Sequence, residues 1–451
     1  MLELCCLAAL AAQAPDPAPL TYADTRARAA ATYPGLRAAR TGVLAARARV
    51  AGARAWDDPM LDVSVWNLPL NQVEGALMPG MSASERATTF LMGPDMFPLM
   101  VMASQTFPFP GKRGARADEA QARAEEAEAM VEASRADLDR AVAYALADLH
   151  AGQEALRTVN GTLALMDTMV AIADGRVQSG LGRQADALAT RAERETLLKD
   201  QLDLRQQQEV ARARLAALLG VTPSAIGPVW ESVRHVELPP RETLLQRALA
   251  ARPELRAARA QVAAAVARAR QERLAALPDV TAKVGYMVQT GGVPMLVSHG
   301  PLGALLGPAD MVTVGVSVPL PVFYPFKQAR SLEAARYDER RAAESADALI
   351  RVIQSEVDEA SAAIRHAHDH VTLHEETLIP LSSSTVEATR AAYISGSVDV
   401  LALITAVRQM RSHHLERLTY EALYVRRLAD LQRATGMELL AFDPSSPGGH
   451  P

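Results

Sequence analysis

At 451 residues the chain is long enough for several globular domains, yet only 4% of it is aromatic and long windows consist of Ala, Arg and Glu. That profile belongs to long helices rather than compact globules. A net charge of −5 gives no electrostatic footprint for a nucleic-acid partner, and no run of about 18 apolar residues marks a transmembrane helix.

Residues 1–14 have the apolar core and small-residue end of a secretory signal, although the basic start is missing. Cleavage after Ala11 fits best; a frayed apolar N-terminus is the alternative reading. Cys5 and Cys6, the only cysteines, lie in this segment. Neither sits in a lipoprotein cleavage motif, and removal of the segment leaves no thiol for a disulfide, a metal or a nucleophile.

Thr21 and Asp24 open a helix in the manner of a capping box. The helix runs to about Trp56, interrupted near Pro34 and ended by Pro59. Leu61-Asp-Val-Ser-Val65 then alternates apolar and polar, the pattern of a strand over 61–68. Residues 69–98 are rich in Gly, Pro, Ser and Met and read as a loop, followed by a return strand over 99–107. At Ser104-Gln-Thr-Phe-Pro-Phe-Pro-Gly-Lys-Arg113 the strand meets a helix. Pro108 and Pro110 can neither donate to a sheet ladder nor sit inside a helix. With Phe107, Phe109, Gly111 and Lys112 they form a hard junction. The helix that follows runs from about Gly114 to Gln178, breaks at Ser179-Gly-Leu-Gly182, and returns from Arg183 to Leu219. A Pro-rich connector spans 221–240.

The order then repeats. Pro253-Glu-Leu-Arg-Ala-Ala-Arg259 matches Pro34-Gly-Leu-Arg-Ala-Ala-Arg40, and Pro278 matches Pro59. Val318-Pro-Leu-Pro321 matches Phe107-Pro-Phe-Pro110, placing Pro319, Pro321, Phe323 and Tyr324 at a second junction. Ser395-Gly396 matches Ser179-Gly180, and Arg427-Leu-Ala matches Arg214-Leu-Ala. Five anchors in one order define two copies of a single unit: helix, strand, loop, strand, long helix, tight turn, helix. The expected division is a signal segment (1–14), repeat 1 (15–220), the connector (221–240), repeat 2 (241–440) and a disordered tail (441–451). The helix after each junction is expected to have about 65 residues, roughly 100 Å. Each shorter helix is roughly 54 Å, so one long helix suits two short ones stacked beside it.

The four strands, 61–68, 99–107, 280–288 and 311–318, alternate strictly. Val280, Ala282, Val284, Tyr286 and Val288 share one face, and so do Val312, Val314, Val316 and Val318. Strands of about nine residues with this alternation fit a membrane β-barrel; a half-buried sheet beneath helices is the other reading. Four strands cannot close a barrel, and an open edge is forbidden in lipid, so membrane strands require oligomerisation. Gln105 is a misfit on its apolar face unless it is paired at the rim. Aromatics at both junctions suit either an interfacial girdle or a packed junction core.

These junctions, the helical-hairpin turns and the two-repeat order resemble the TolC-like outer-membrane efflux proteins over about residues 21–440. The resemblance implies an α+β membrane protein: long antiparallel helical hairpins forming an α-barrel, joined to a four-strand share of a trimeric 12-stranded β-barrel. It implies an exit duct in the outer membrane, spanning the periplasm and serving a tripartite pump through a periplasmic adaptor and an inner-membrane pump. A type I secretion duct is the alternative within the family. It also implies a periplasmic gate at the hairpin turns, here Gly180, Gly182, Arg183 and Asp186 in the first and Tyr393, Gly396 and Asp399 in the second. Three copies of Asp186 and Asp399 would form carboxylate rings, able to bind cations or respond to pH; helix capping is the other role open to both. The second turn is shorter than in the type member, lacks its gating Arg and has Ala402 in place of a second Asp, so a salt-bridge lock is not expected.

Two further clusters carry ligand chemistry. Met78, Met81, Met92, Met96, Met100 and Met102 crowd the first loop and its return strand. Thioethers suit Cu(I) and heavy-metal efflux is one branch of the family, but flexible apolar filler is the favoured reading. His366, His370 and His374 share a helical face, with His413 and His414 on the returning helix. A metal or pH-sensing patch competes there with a solvated face, which is favoured because no acidic or Cys ligand set is evident. No phosphate loop, metal-ligand motif or nucleophile elbow occurs, so neither an enzyme nor a cofactor is expected. A periplasmic coiled-coil adaptor is the remaining alternative, disfavoured by two hairpins and four amphipathic strands.

Overall fold

The computed structural model describes residues 20–65, 97–229, 231–290, 311–440 and 442–444. The expected signal segment, the loop after the first strand up to residue 96, that strand's last three residues, and Met78, Met81, Met92 and Met96 lie outside them; the loop's last two residues, Phe97 and Pro98, belong instead to the return strand.

The helix α1 (Tyr22–Thr32) starts at Thr21, whose hydroxyl accepts the Asp24 N–H at 3.1 Å. The chain breaks at Tyr33 and resumes as α2 (Pro34–Arg54). Repeat 2 does the same: α5 (Arg241–Ala251) breaks at Arg252 and α6 (Pro253–Leu274) follows. One helix was expected over 242–277. The cause is identical in both copies, since a residue before proline is driven from helical to extended backbone. Tyr33 and Arg252 share ψ 119.

The strands are β1 (Met60–Val65), β2 (Phe97–Phe107), β4 (Val280–Thr290) and β5 (Met311–Ser317). After β2 the helix α3 (Lys112–Gln178) runs unbroken for 67 residues, and α4 (Gln184–Leu219) returns. After β5 the expected unbroken helix is divided into α7 (Gln328–Leu373), a π-turn over His374–Leu378, and α8 (Ile379–Ser395); α9 (Val400–Thr435) returns. The interruption traces to Pro380, which has no N–H to give and crowds the preceding turn. A π-turn, holding one residue more than an α-turn, absorbs that conflict.

The four strands form one antiparallel sheet in the order β1-β2-β4-β5. The register aligns Val63 with Val101, Val101 with Tyr286, and Tyr286 with Val312. A two-residue side-chain period therefore gathers the valines, leucines and Tyr286 on one face, while Met60, Met100, Met102, Met287 and Met311 stand on the other with the polar residues. A second small sheet pairs β3 (Glu231–Val233) with β6 (Phe442–Pro444). The sequence suggested a connector and a disordered tail there; three-residue strands are too short to show a period.

Residues 45–125 and 260–343 form one compact unit, which contains the four-stranded sheet. The remainder forms a second unit, which among the described residues has three large apolar clusters and a small one of Ala147, Ala422 and Val425. Leu36, Leu138, Val142, Leu149 and Leu215 anchor the first. Leu244, Leu255, Ile353, Val357 and Leu428 anchor its repeat-2 counterpart. Met166, Leu197, Tyr393, Leu403 and Ile404 anchor the third. Each such side chain contributes about 1.5–3 kcal/mol through burial. The abundant buried alanines between them, such as Ala143, Ala216 and Ala360, lose no rotamer freedom on packing.

Candidate functional site

The sheet exposes what a soluble core would hide. Leu61, Val63, Val284, Val312 and Val316 are all exposed on the apolar face, and Val314 is 77% exposed. The opposite face carries Asp62, Ser104, Thr106, Thr281, Lys283 and Thr313. Thr106 and Thr281 hydroxyls lie 3.0 Å apart across it. Met100 lies on this second face, buried, its Cε standing 2.8 Å from where a Cβ on Gly285 would be. It packs over glycine backbone rather than filling the apolar face. Gln105 is satisfied: its Nε2 donates to the Asp57 carbonyl at 2.8 Å and to that of Thr106 at 3.1 Å.

The first junction is closed by its own chain. Gly111 takes φ 98, a left-handed turn that glycine enters without a Cβ penalty. Lys112, only 8% exposed, donates to the Leu277 carbonyl at 2.6 Å and to Asp279 Oδ1 at 2.7 Å. The Phe109 N–H donates to the same oxygen at 2.8 Å. Burial pushes the Asp279 carboxyl up, but these two donors outweigh it and hold it below the usual carboxylate range. Phe107 meets Trp56 edge-on at 5.8 Å, and the Arg113 guanidinium lies 4.1 Å above the Trp56 ring. Asp279 and Trp56 are the partners that sequence reasoning missed; both sit just before a strand in their repeat. At the second junction Pro319 and Pro321 precede a series of turns, and Phe323 and Tyr324 are exposed with Phe326.

The two hairpin turns are held together by Arg176, which the sequence did not single out. Its Nη1 donates to the carbonyls of Tyr393 and, at 3.0 Å, of Ile394; Nη2 reaches the Leu181 carbonyl at 3.4 Å. The guanidinium also lies 5.0 Å from the Tyr393 ring. The last carbonyls of a helix lack intrahelical partners and attract a cation; one Arg serves both turns. Gly180 and Gly396 adopt φ 74 and φ 81 to reverse the chain. Gly182 passes so close that a Cβ would stand 2.9 Å from that of Arg176. Asp399 caps α9, accepting the Val400 N–H at 2.7 Å. Asp186 does not cap α4: Arg183 occupies the cap position, without a side-chain bond, and Asp186 lies in the first turn. Burial, then the Asp186 charge, raise the Tyr393 hydroxyl above its ordinary pKa, with Arg176 opposing and Asp399 adding to the rise. Farther along, Arg408 binds the buried Glu193 and Arg411 binds Asp200 at 2.7 Å, linking α4 to α9.

Three arrangements involve the histidines of this hairpin, the first being His368 stacked on His235 at 3.7 Å. His366 and His370 are neighbours at 4.5 Å, and His370 stacks on Tyr420 at 4.1 Å. His374 instead turns toward His413 and Glu416. An acidic group therefore does accompany the histidines, contrary to the sequence reading. Glu416 is held below its ordinary range, first by the Ser412 hydroxyl and then by His374.

The model of the family described as "Outer membrane efflux protein" matches residues 26–221 and 244–437. The chain belongs to that family. Its two matched segments coincide with the two repeats, and the family comprises channel-forming outer-membrane efflux proteins. No curated protein matches the chain in sequence. Among solved structures, a membrane protein from Pseudomonas aeruginosa is similar at TM-score 0.75 and 19% identity, covering 92% of this chain and 93% of that one. VceC, an outer membrane protein from Vibrio cholerae, is similar at TM-score 0.71 and 18% identity, with 92% and 96% covered. The open state of the MtrE outer membrane channel of Neisseria gonorrhoeae is similar at TM-score 0.69 and 18% identity, with 94% and 90% covered. At such identities the likeness establishes a shared fold, that of TolC-like channels combining helical hairpins with barrel strands.

Proposed function

We propose that this chain is the outer-membrane exit duct of a tripartite efflux pump, working as a homotrimer with a periplasmic adaptor and an inner-membrane pump. The observation that carries the reading is the sheet: four strands, edges at β1 and β5 with no further strand among the described residues, and an exposed apolar face crossing every strand. In water that face promotes aggregation. In lipid the face is at home, but the unpaired edges are not. Three copies joined β5 to β1 give twelve strands, no edge and a polar lumen.

Membrane fractionation followed by native mass measurement tests this directly. The expected species is a trimer in the outer membrane; a soluble monomer would sink the proposal. In the trimer, three copies of Asp186 and Asp399 would bring carboxylates together near the two turns that Arg176 ties. Arg176→Ala is expected to raise single-channel conductance in a planar bilayer. Asp399→Ala should raise conductance or alter cation block, and an unchanged trace would leave Asp399 as a helix cap alone.

A further inference from the structure

The geometry points to a binding site for a divalent transition-metal ion at His374, His413 and Glu416. The three residues offer ligand atoms that all lie within 4.8 Å of one another. They come from two facing elements: His374 opens the π-turn, and His413 and Glu416 stand one turn apart on α9. His374 is 3% exposed. Its Nδ1 lies 2.7 Å from the His370 carbonyl oxygen. A carbonyl only accepts, so Nδ1 carries the proton and donates. Its Nε2 faces Glu416 Oε2 at 3.2 Å, a contact completed by a proton or by a metal ion on Nε2.

A proton on Nε2 would satisfy His374 and Glu416 but would give His413 no part. His413 has a buried Nδ1 with no hydrogen-bond partner, and its ring meets that of His374 edge-on at 5.8 Å. A metal ion engages all three groups. Ligands about 2.0–2.1 Å from a tetrahedral zinc stand roughly 3.3 Å apart, close to the separation already present between His374 and Glu416. The His413 ligand atom lies within 4.8 Å of both, and a tetrahedral ion held by these three would leave its fourth position to water.

The supporting shell is also in place. A metal-ligating histidine ordinarily donates its other N–H to a carbonyl or carboxylate, as His374 does to His370. Ser412 Oγ donates to Glu416 Oε1 at 2.7 Å and fixes the carboxylate. The π-turn that carries His374 belongs to a class of helix defect found frequently at functional sites. Two imidazoles and a carboxylate, without thiolate or thioether, suit Zn²⁺, Co²⁺ or Ni²⁺ rather than Cu(I). His366 and His370 are not in the set, since the ligand atoms that converge within 4.8 Å are those of His374, His413 and Glu416. Bound metal would tie the π-turn to α9, about 20 Å along that helix from its start.

The test uses tag-free, detergent-purified full-length protein, titrated with Zn²⁺ against a chromophoric chelator and with Co²⁺ by visible absorption. One equivalent per protomer is expected, with the intense bands of low-coordinate Co²⁺. Glu416→Gln and His413→Gln should each weaken binding tenfold or more, while His366→Gln binds like the wild type. Glu416 is half exposed, so its variant keeps the fold and decides the matter. Absence of stoichiometric uptake overturns the site. So does unchanged affinity in Glu416→Gln and His413→Gln, or loss of binding in His366→Gln alone.

Discussion

The two strand-to-helix junctions descend from one repeated unit, yet they end differently. The first is stitched within the chain, with Lys112 buried against Asp279 and the Leu277 carbonyl, and Phe107 against Trp56. At the second, Leu320, Val322 and Phe323 are exposed and Phe326 is 83% exposed. Position in the sheet accounts for the contrast. β2 has β4 beside it, so its junction finds the residues that precede β4; β5 is the edge of the sheet, with no neighbouring strand on one side among the described residues. A repeated sequence thus yields one junction completed at folding and one whose apolar surface stays open in the single chain.

The contrast can be broken most strongly at Lys112. Lys112→Met should cost about 2–3 kcal/mol, because charged hydrogen bonds of this kind contribute that much and the partners stay behind unpaired. The midpoint of denaturant unfolding in detergent measures the loss. Acid attacks the same contact. The Asp279 carboxyl is depressed in the folded chain, so its stabilisation is fully present above the unfolded pKa of about 4 and fades as pH falls through that value toward the folded one. Asp279→Asn should remove that slope from a stability–pH profile and leave the rest unchanged. Gly111→Ala should cost about 1 kcal/mol through left-handed strain, read in the same denaturation. Phe326→Ser should do the reverse of Lys112→Met. Its effect on unfolding should stay within about 0.5 kcal/mol, as for an exposed site, while the trimer yield on size exclusion falls. Equal unfolding losses at Lys112 and Phe326 would remove the distinction between the two junctions.

Periodicity and punctuation revealed much of this molecule. Strict alternation located four strands, and proline and glycine located both junctions and both turns. What escaped were effects that depend on partners distant in sequence. Arg176 looks like any helix-end arginine until the second turn is brought to it, 217 positions away. Asp279 looks like a strand-start residue until Lys112 arrives. Glu416 sits three residues from His413, yet it becomes a candidate ligand only because the π-turn turns His374 toward it. Asp186, expected either in a ring or as a cap, gives up the cap position to Arg183 because the first turn ends three residues earlier. Arg252 was the exception: its break was legible, since Pro253 repeats Pro34, but the helical pattern on either side concealed it.

Pro380 has a consequence that extends beyond its own turn. Adding one residue to a helix rotates everything downstream by about 100°. The π-turn therefore acts as a phase shift between α7 and α8, deciding which stripe of α8 lies against α9. Hairpin 1 keeps a single phase through all of α3, whereas hairpin 2 is re-indexed partway along. Two arms of similar length, built from the same ancestral unit, thus present differently timed faces to their neighbours, and that timing is set by one imino acid.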